Sequence, residues 1–314
     1  MKILVTGATG FVGSHIAKKL HDDGHYVIGT GVSTERKVPY VDKILNLHFD
    51  GIDWGAVKDV DVIFHESANN ETRCMDETEM YKANLHGPRH LFVEAYFRGC
   101  RKFVYASSTA VYGDSLAPYI EDETKINPLT PYAKSKLEFE DWATNEFALD
   151  APWGSTIVVG LRYCNVYGVG EDHKGKRMSM IGQLIRSMLQ KKNPKLFKHG
   201  KQQRDWVHVS DVVEANMLAM DSDTTGIYNV GSGVATTFNR LVDIIYGETE
   251  IDWIDCPFEN EYQKHTCCDL KKIKDALGYK PQIDIEKGIR NYIMSYIEEL
   301  RASSVLDHIS SIDI

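Results

Sequence analysis

The sequence predicts an α/β protein: a Rossmann-type doubly wound parallel sheet with a smaller C-terminal α/β substrate-binding lobe. Three observations carry that expectation. Short, near-continuous apolar runs alternate with helical patterns through the first half, as in a parallel sheet covered on both faces. A glycine-rich stretch, TGATGFVG, lies between the first apolar run and the first helical pattern. After about residue 168 the alternation loosens into mixed helices and short strands. The expected division is 1–168 with about 202–232 as a dinucleotide-binding domain, and 169–201 with 233–314 as the lobe.

The elements follow in order. KILVTG reads as a strand, and SHIAKKLHDDG as a helix stopped by Gly24. HYVIGTG and DVIFHES read as strands. EMYKANLHGPRHLFVEAYFRG is a long helix, expected to kink near Pro88. RKFVYASS is a strand, TPYAKSKLEFEDWATNEFA a helix and STIVVGLRY a strand. Beyond these come a helix (SMIGQLIRSMLQ), a short extended PKLFKHG, and a strand and helix in RDWVHVSDVVEANMLAM. A strand GIYNVGSG and three helical patterns, FNRLVDIIYG, DLKKIKDALGY and IEKGIRNYIMSYIEEL, complete the pass. The tail 303–314 suggests no role.

Composition narrows the function. The 314 residues exceed what one ordinary domain needs, and 43% hydrophobic with 26% charged residues suits a soluble globular protein. A net charge of −9 repels phosphate backbones and anionic lipids, so neither nucleic acid nor membrane is an expected partner. No apolar run approaches a membrane span, and the opening apolar run is too short for a signal peptide. Cys74, Cys100, Cys164, Cys256, Cys267 and Cys268 show no CxxC spacing, which fits reduced thiols in the cytoplasm. Adjacent Cys267 and Cys268 are either redox-active or incidental. The histidines form no HxxxH or HExxH pattern, so no metal site is expected.

In the glycine stretch, Gly7, Gly10 and Gly13 let the backbone turn tightly and approach a pyrophosphate, with Thr9, Phe11 and Val12 completing the loop. The helix start supplies free N–H groups there. The second strand ends in Gly29, Thr30 and Gly31, with no carboxylate to grip a ribose 2′-hydroxyl, and Arg36 and Lys37 follow. Cations without a carboxylate favour a 2′-phosphate, hence NADP, with NAD possible. The other reading makes Arg36 and Lys37 ordinary surface residues and lets Thr30 serve either cofactor. Asp50, after the third strand, is a candidate for the adenine amino group.

TPYAKSK offers Thr130 as N-cap and Pro131 as first helical residue, which puts Tyr132 and Lys136 one turn apart on one helix face. A phenol beside an ammonium can take a proton from a hydroxyl while a nicotinamide takes the hydride.

TGxxGxxG, YASSTAVYG and YxxxK together resemble the extended short-chain dehydrogenase/reductase family, also called the NAD-dependent epimerase/dehydratase family. The resemblance covers essentially the whole chain. It implies that Ser108 hydrogen-bonds the reacting oxygen with Thr109 assisting, that Tyr132 is the acid/base, and that Lys136 binds the nicotinamide ribose and tunes Tyr132. It also implies that Asn165, in RYCNVYG, and Arg204, in QQRDWVHVSDV, hold a substrate diphosphate. An arginine fork suits phosphate, while a structural ion pair to Asp205 or Asp211 is the alternative for Arg204.

Within that family, CNVYGVGEDHKG, NPKLFKHG, IFHESA and YQKHTCCDL are similar to the ADP-glyceromanno-heptose 6-epimerase branch. That likeness implies Lys174 as a second acid/base; a solvated loop lysine, or a phosphate contact shared with Lys176 and Arg177, is the alternative. It adds Ser67, Lys176, Gln183, Leu196, Phe197 and Tyr262 as substrate-contact candidates, with Lys176 and Gln183 departing from the branch pattern and Leu196 and Phe197 also readable as core. Dehydratases of the family carry an Asp-Glu pair where Thr109-Ala110-Val111 stands, and 3,5-epimerases a cysteine where Ala110 stands. The implied function is a nucleotide-sugar epimerase working through a transient keto sugar, in a homo-oligomer. The rivals are an epimerase or reductase of a UDP- or GDP-sugar, and a non-catalytic dinucleotide sensor.

Overall fold

The computed structural model describes residues 1–31, 38–46, 57–71, 76–146, 156–257 and 262–302. Arg36, Lys37, Asp50 and the tail 303–314 lie outside the described residues.

Seven strands form one parallel sheet: β1 (Lys2–Thr6), β2 (Tyr26–Gly31), β3 (Lys43–Asn46), β4 (Val62–His65), β5 (Lys102–Ser108), β6 (Ile157–Tyr163) and β10 (Gly226–Val230). Their order is β10-β6-β5-β4-β1-β2-β3, so strand order reverses between β1 and β4. The expected doubly wound fold is present. The runs are apolar because both faces are covered. One face packs Val5, Phe64, Val104 and Leu161 against α1 (Phe11–Asp22) and later helices. The other packs Leu4, Ile63, Phe103 and Tyr105 against α3 (Gly87–Phe97) and α4 (Pro131–Asp141).

The long helix expected before β5 runs as α2 (Glu77–Tyr81), a π turn at Lys82–His86, and α3. The disturbance expected at Pro88 is thus a widened turn just ahead of it. Proline offers no N–H, and its ring crowds the carbonyl four residues back, which an i→i+5 turn relieves.

The C-terminal part has its own core. Helices α5 (Met180–Leu189), α7 (Phe238–Tyr246) and α9 (Ile285–Ala302) bury Ile181, Leu184, Leu241, Ile245, Ile289 and Tyr292 together. Strands β7 (Asn165–Tyr167), β9 (Gln203–His208) and β11 (Ala235–Thr237) form a three-stranded sheet, and β8 (Lys195–Phe197) pairs with β12 (Asp252–Ile254). Segment 202–232 therefore divides. Its strand β9 joins the small sheet, while α6 (Val209–Asp221) and β10 complete the large one. The short helix α8 (Lys271–Leu277) packs near β10. Among the described residues, no helix is long and apolar enough to cross a membrane.

Candidate active site

The glycine stretch folds as a cradle at the C-terminal ends of β1 and β4, where the strand order reverses and open α/β sheets bind ligands. Gly7 has φ +67°, a conformation costly for any residue with a side chain. Its carbonyl accepts from Gly10 N at 2.7 Å. A Cβ on Gly13 would lie 2.3 Å from the Gly7 oxygen, and one on Gly10 2.9 Å, so neither position tolerates a side chain. Helix α1 then begins with no side chain capping its amides and no acid in its first turn. Those amides and the partial positive charge there suit a pyrophosphate, so the residues present fit a dinucleotide. Thr30 is buried, and its Oγ1 accepts from Gly7 N at 3.3 Å, bracing the cradle. Thr9 and Phe11 are buried in the loop, and Val12 packs on the core behind it.

Ser108, Tyr132 and Lys136 are brought together. Thr130 Oγ1 accepts from Ala133 N at 3.2 Å and Pro131 occupies the first turn, so α4 starts at the expected residue. Ser108 ends β5, and its Oγ accepts from Ala110 N at 3.1 Å, starting the 3₁₀ turn Thr109–Tyr112. The Ser108 hydroxyl faces the Tyr132 side chain. Burial raises the Tyr132 pKa, Ser108 opposes this, and the Glu66 charge adds to it. Lys136 Nζ donates to Ala106 O at 2.9 Å. Burial lowers its pKa to about 8, against the attraction of Glu66 and Glu140. Thr109 is buried, and its hydroxyl donates to Tyr163 O at 3.2 Å, tying β5 to β6.

Three supporting groups go beyond the sequence reading. Glu140, one turn beyond Lys136, is fully buried and takes a two-pronged hydrogen bond from Arg162, closest at 2.7 Å. Ser107 also donates to Glu140, and Arg162 donates to Tyr112 Oη at 2.8 Å. The charged Arg162 inside the apolar run IVVGLRY is the available signal, because a buried charge demands a partner. Glu66 and Glu171 are the other two.

Lys174 lies in the 3₁₀ segment Asp172–Arg177. It is not a solvated loop lysine: its side chain is 18% exposed. Its Nζ is 3.6 Å from Glu171 Oε2 and 5.2 Å from the ring centroid of Phe11, in the glycine cradle. Burial lowers its pKa, and Glu171 opposes the shift. Glu171 is fully buried and accepts from both the N–H and hydroxyl of Ser179 at 2.6 Å, so it fixes this loop to the start of α5. Lys176 is exposed. Gln183 turns back, its Nε2 donating to Met178 O at 2.9 Å, which closes the loop against α5.

Of the remaining candidates, Tyr262 packs against Arg204 and Phe197 against Tyr262. The guanidinium is 4.8 Å from the Tyr262 ring centroid and 5.8 Å from that of Phe238. Neither alternative ion pair forms. Asp205 accepts from the Ser232 N–H and hydroxyl, Gly233 N and Cys268 N, and Asp211 accepts from Gln282 N and Ile283 N. Phe197 meets Tyr262 edge to face at 5.6 Å. Leu196, on the opposite side of β8, is 1% exposed among Tyr167, Ile181 and Leu184, and so belongs to the lobe core. Asn165 Nδ2 reaches Asp205 O at 3.4 Å and Thr266 Oγ1 at 3.5 Å. Ser67 N donates to Thr6 Oγ1 at 3.2 Å beside the cradle. Cys164, Asp205 and Cys268 lie close together, but Asp205 already holds four donors, and burial raises both thiols, so this cluster is a buried cap.

The sequence profile of the NAD dependent epimerase/dehydratase family matches residues 3–231. The chain belongs to this family. A relative 33% identical over 313 residues is the ADP-L-glycero-D-manno-heptose-6-epimerase of Alkalilimnicola ehrlichii, matched over 93% of this chain and 96% of that one. Among solved structures, the Helicobacter pylori ADP-L-glycero-D-manno-heptose-6-epimerase superposes with a TM-score of 0.84 at 29% identity, covering 95% of this chain and 96% of that one. The Thermus thermophilus UDP-glucose 4-epimerase complex with NAD gives 0.83 at 26%, covering 95% and 99%. The family expected from the glycine stretch and the Tyr-Lys pair is thus the family found.

Proposed function

We propose that this chain is a nucleotide-sugar epimerase that inverts a hydroxyl-bearing carbon of ADP-glyceromanno-heptose, at C6, through a transient ketone, with NADP as its dinucleotide. The observation that carries the two-base reading is Lys174, drawn out of solvent onto Phe11 of the cradle, in the same protein as the Ser108–Tyr132–Lys136 group. The relatives at 33% and 29% identity support the heptose substrate.

The carbon to be inverted has no acidic C–H, so direct proton abstraction there is slow. A nicotinamide dinucleotide held at the Gly7–Gly10–Gly13 cradle would supply the hydride acceptor and donor for that carbon. Ser108 holds the reacting oxygen while Tyr132 takes its proton, and Lys136 steadies the pair by charge. A ketone turned in the site presents its oxygen elsewhere, and Lys174 gives the proton there. Desolvation lowers the Lys174 pKa, which eases proton release near neutral pH. Asn165 and Arg204 hold the diphosphate, with Tyr262, Phe197 and Ser67 alongside and Lys176 and Gln183 shaping the sugar end. Thr30 in place of a carboxylate favours NADP. Cys100, Cys164, Cys256, Cys267 and Cys268 are free thiols, which suits a cytoplasmic enzyme. The expected homo-oligomer and the two-part division of the chain complete this reading.

The test is proton NMR of purified protein with ADP-D-glycero-D-manno-heptose and no added cofactor. Growth of the L-glycero epimer, abolished in Tyr132→Phe, supports the assignment. No growth from folded, dinucleotide-bound protein sinks the heptose substrate. Lys176 and Gln183 then mark a different sugar, to be sought among UDP- and GDP-sugars.

A further inference from the structure

Tyr132, Lys136 and Glu140 are spaced four residues apart, so they form one stripe along α4. The stripe meets three consecutive residues at the end of β5. Tyr132 faces the Ser108 hydroxyl, Lys136 Nζ donates to Ala106 O at 2.9 Å, and Ser107 Oγ donates to Glu140 Oε1. Two hydrogen bonds, one helical turn apart, thus tie the helix that carries Tyr132 to the strand that carries Ser108.

The Glu140 tie is fixed from the neighbouring strand. Arg162 on β6 stands beside Ser107 in the sheet register. Its Nε donates to Glu140 Oε1 at 3.0 Å and its Nη2 to Oε2 at 2.7 Å, so the carboxylate cannot rotate away. Arg162 Nη1 donates to Tyr112 Oη at 2.8 Å, and that hydroxyl donates to Asn229 Oδ1 at 2.8 Å. Ser107, Tyr112, Glu140, Arg162 and Asn229 are all buried. The layer they occupy is otherwise apolar, with Tyr105, Phe139 and Val158 in it. Replacing such a buried pair by packed apolar residues is often neutral or stabilising, so stability alone does not account for it. Hydrogen bonds have a direction that apolar packing lacks, and these ones fix where α4 lies along β5.

We propose that Glu140 and Ser107 are positioning residues of the Ser108–Tyr132–Lys136 group: their hydrogen bond sets the distance between the Ser108 hydroxyl and the Tyr132 phenol, where the reacting hydroxyl must fit. This rests on the function proposed above. Both residues act through the elements they join. A loosened tie lets α4 shift on β5, and a misplacement of about 1 Å at the reacting atoms costs up to about 10²-fold in rate. Asn165 and Arg204, which hold the diphosphate in that reading, stand on β7 and β9, so substrate affinity does not depend on this tie.

Two deletions of a single hydroxyl separate positioning from stability. Ser107→Ala removes the tie between β5 and α4. Tyr112→Phe removes a hydroxyl that serves the same Arg162, while the ring keeps its place over the guanidinium, 4.9 Å from the centroid. Each variant retains the Glu140–Arg162 pair, so both should fold, with similar small drops in urea midpoint. Rates are taken on ADP-D-glycero-D-manno-heptose, per folded, dinucleotide-loaded molecule. Ser107→Ala should lower kcat about 10-fold with KM within about 3-fold, whereas Tyr112→Phe should keep kcat within about 2-fold. An unchanged kcat in Ser107→Ala, or an equal loss in Tyr112→Phe, overturns the proposal. If the parent leaves the heptose unchanged, the substrate assignment fails instead. The same comparison is then made on the UDP- or GDP-sugar that reduces the bound dinucleotide, read from the near-ultraviolet absorbance of the reduced nicotinamide. A parent that reduces its dinucleotide with none of these sugars removes the epimerase reading, and this proposal with it.

Discussion

Lys136 and Lys174 are drawn out of solvent by different routes. Lys136 rides on a regular helix, four residues after Tyr132, and is held by a backbone carbonyl and the charges of Glu66 and Glu140. Lys174 rides on a one-turn loop, and one buried carboxylate, Glu171, holds both it and the start of α5. The first is positioned by helical geometry backed by the sheet. The second is positioned by a single clamp. A lysine on a helix inherits the precision of the fold, whereas a lysine on a loop must be fastened separately.

The contrast can be attacked hardest at Glu140. Glu140→Ala leaves the Arg162 guanidinium buried without its partner, with an expected loss of about 3–5 kcal/mol in a urea unfolding measurement. An unfolding midpoint close to that of the parent would show that α4 does not depend on this pair. Lys174→Met should separate the two lysines further. Turnover falls roughly 10²–10⁴-fold, while the unfolding midpoint drops less than in Glu140→Ala, because Ser179 still donates twice to the buried Glu171. A large drop in midpoint, or full turnover, removes Lys174 from the chemistry. The smallest expected effect is Gly175→Ala. Gly175 has φ +56° with nothing within 4 Å of a Cβ, so the penalty is backbone strain alone, about 1 kcal/mol. If the loop places Lys174, kcat should fall several-fold more than stability alone explains; equal kcat would argue that the clamp of Glu171 suffices.

Much of the nucleotide half is legible in the sequence because its rules are local. The glycines lie between a strand and a helix, Thr130 caps the expected turn, and helical spacing puts Tyr132 and Lys136 on one face. The lobe is harder. PKLF reads as a pair of contacts, yet pleating turns Leu196 inward and Phe197 the other way, and only the surrounding helices reveal which face is core. Likewise β9 resembles the strands before it but pairs with β7 and β11. The neighbours of Glu66 are invisible along the chain, since Tyr163 is 97 residues away.

Residues within a turn or two of one another are enough to determine the strand–loop–helix cradle, the Tyr-Lys face of α4 and the family, and all three can be read from the chain alone. Packing settles which buried groups meet: the charges of Glu140 and Arg162 and of Glu171 and Lys174, and the Tyr163 hydroxyl with Glu66. Backbone periodicity is written locally, while the desolvation and pairing of a charge depend on whatever distant segments the fold packs around it.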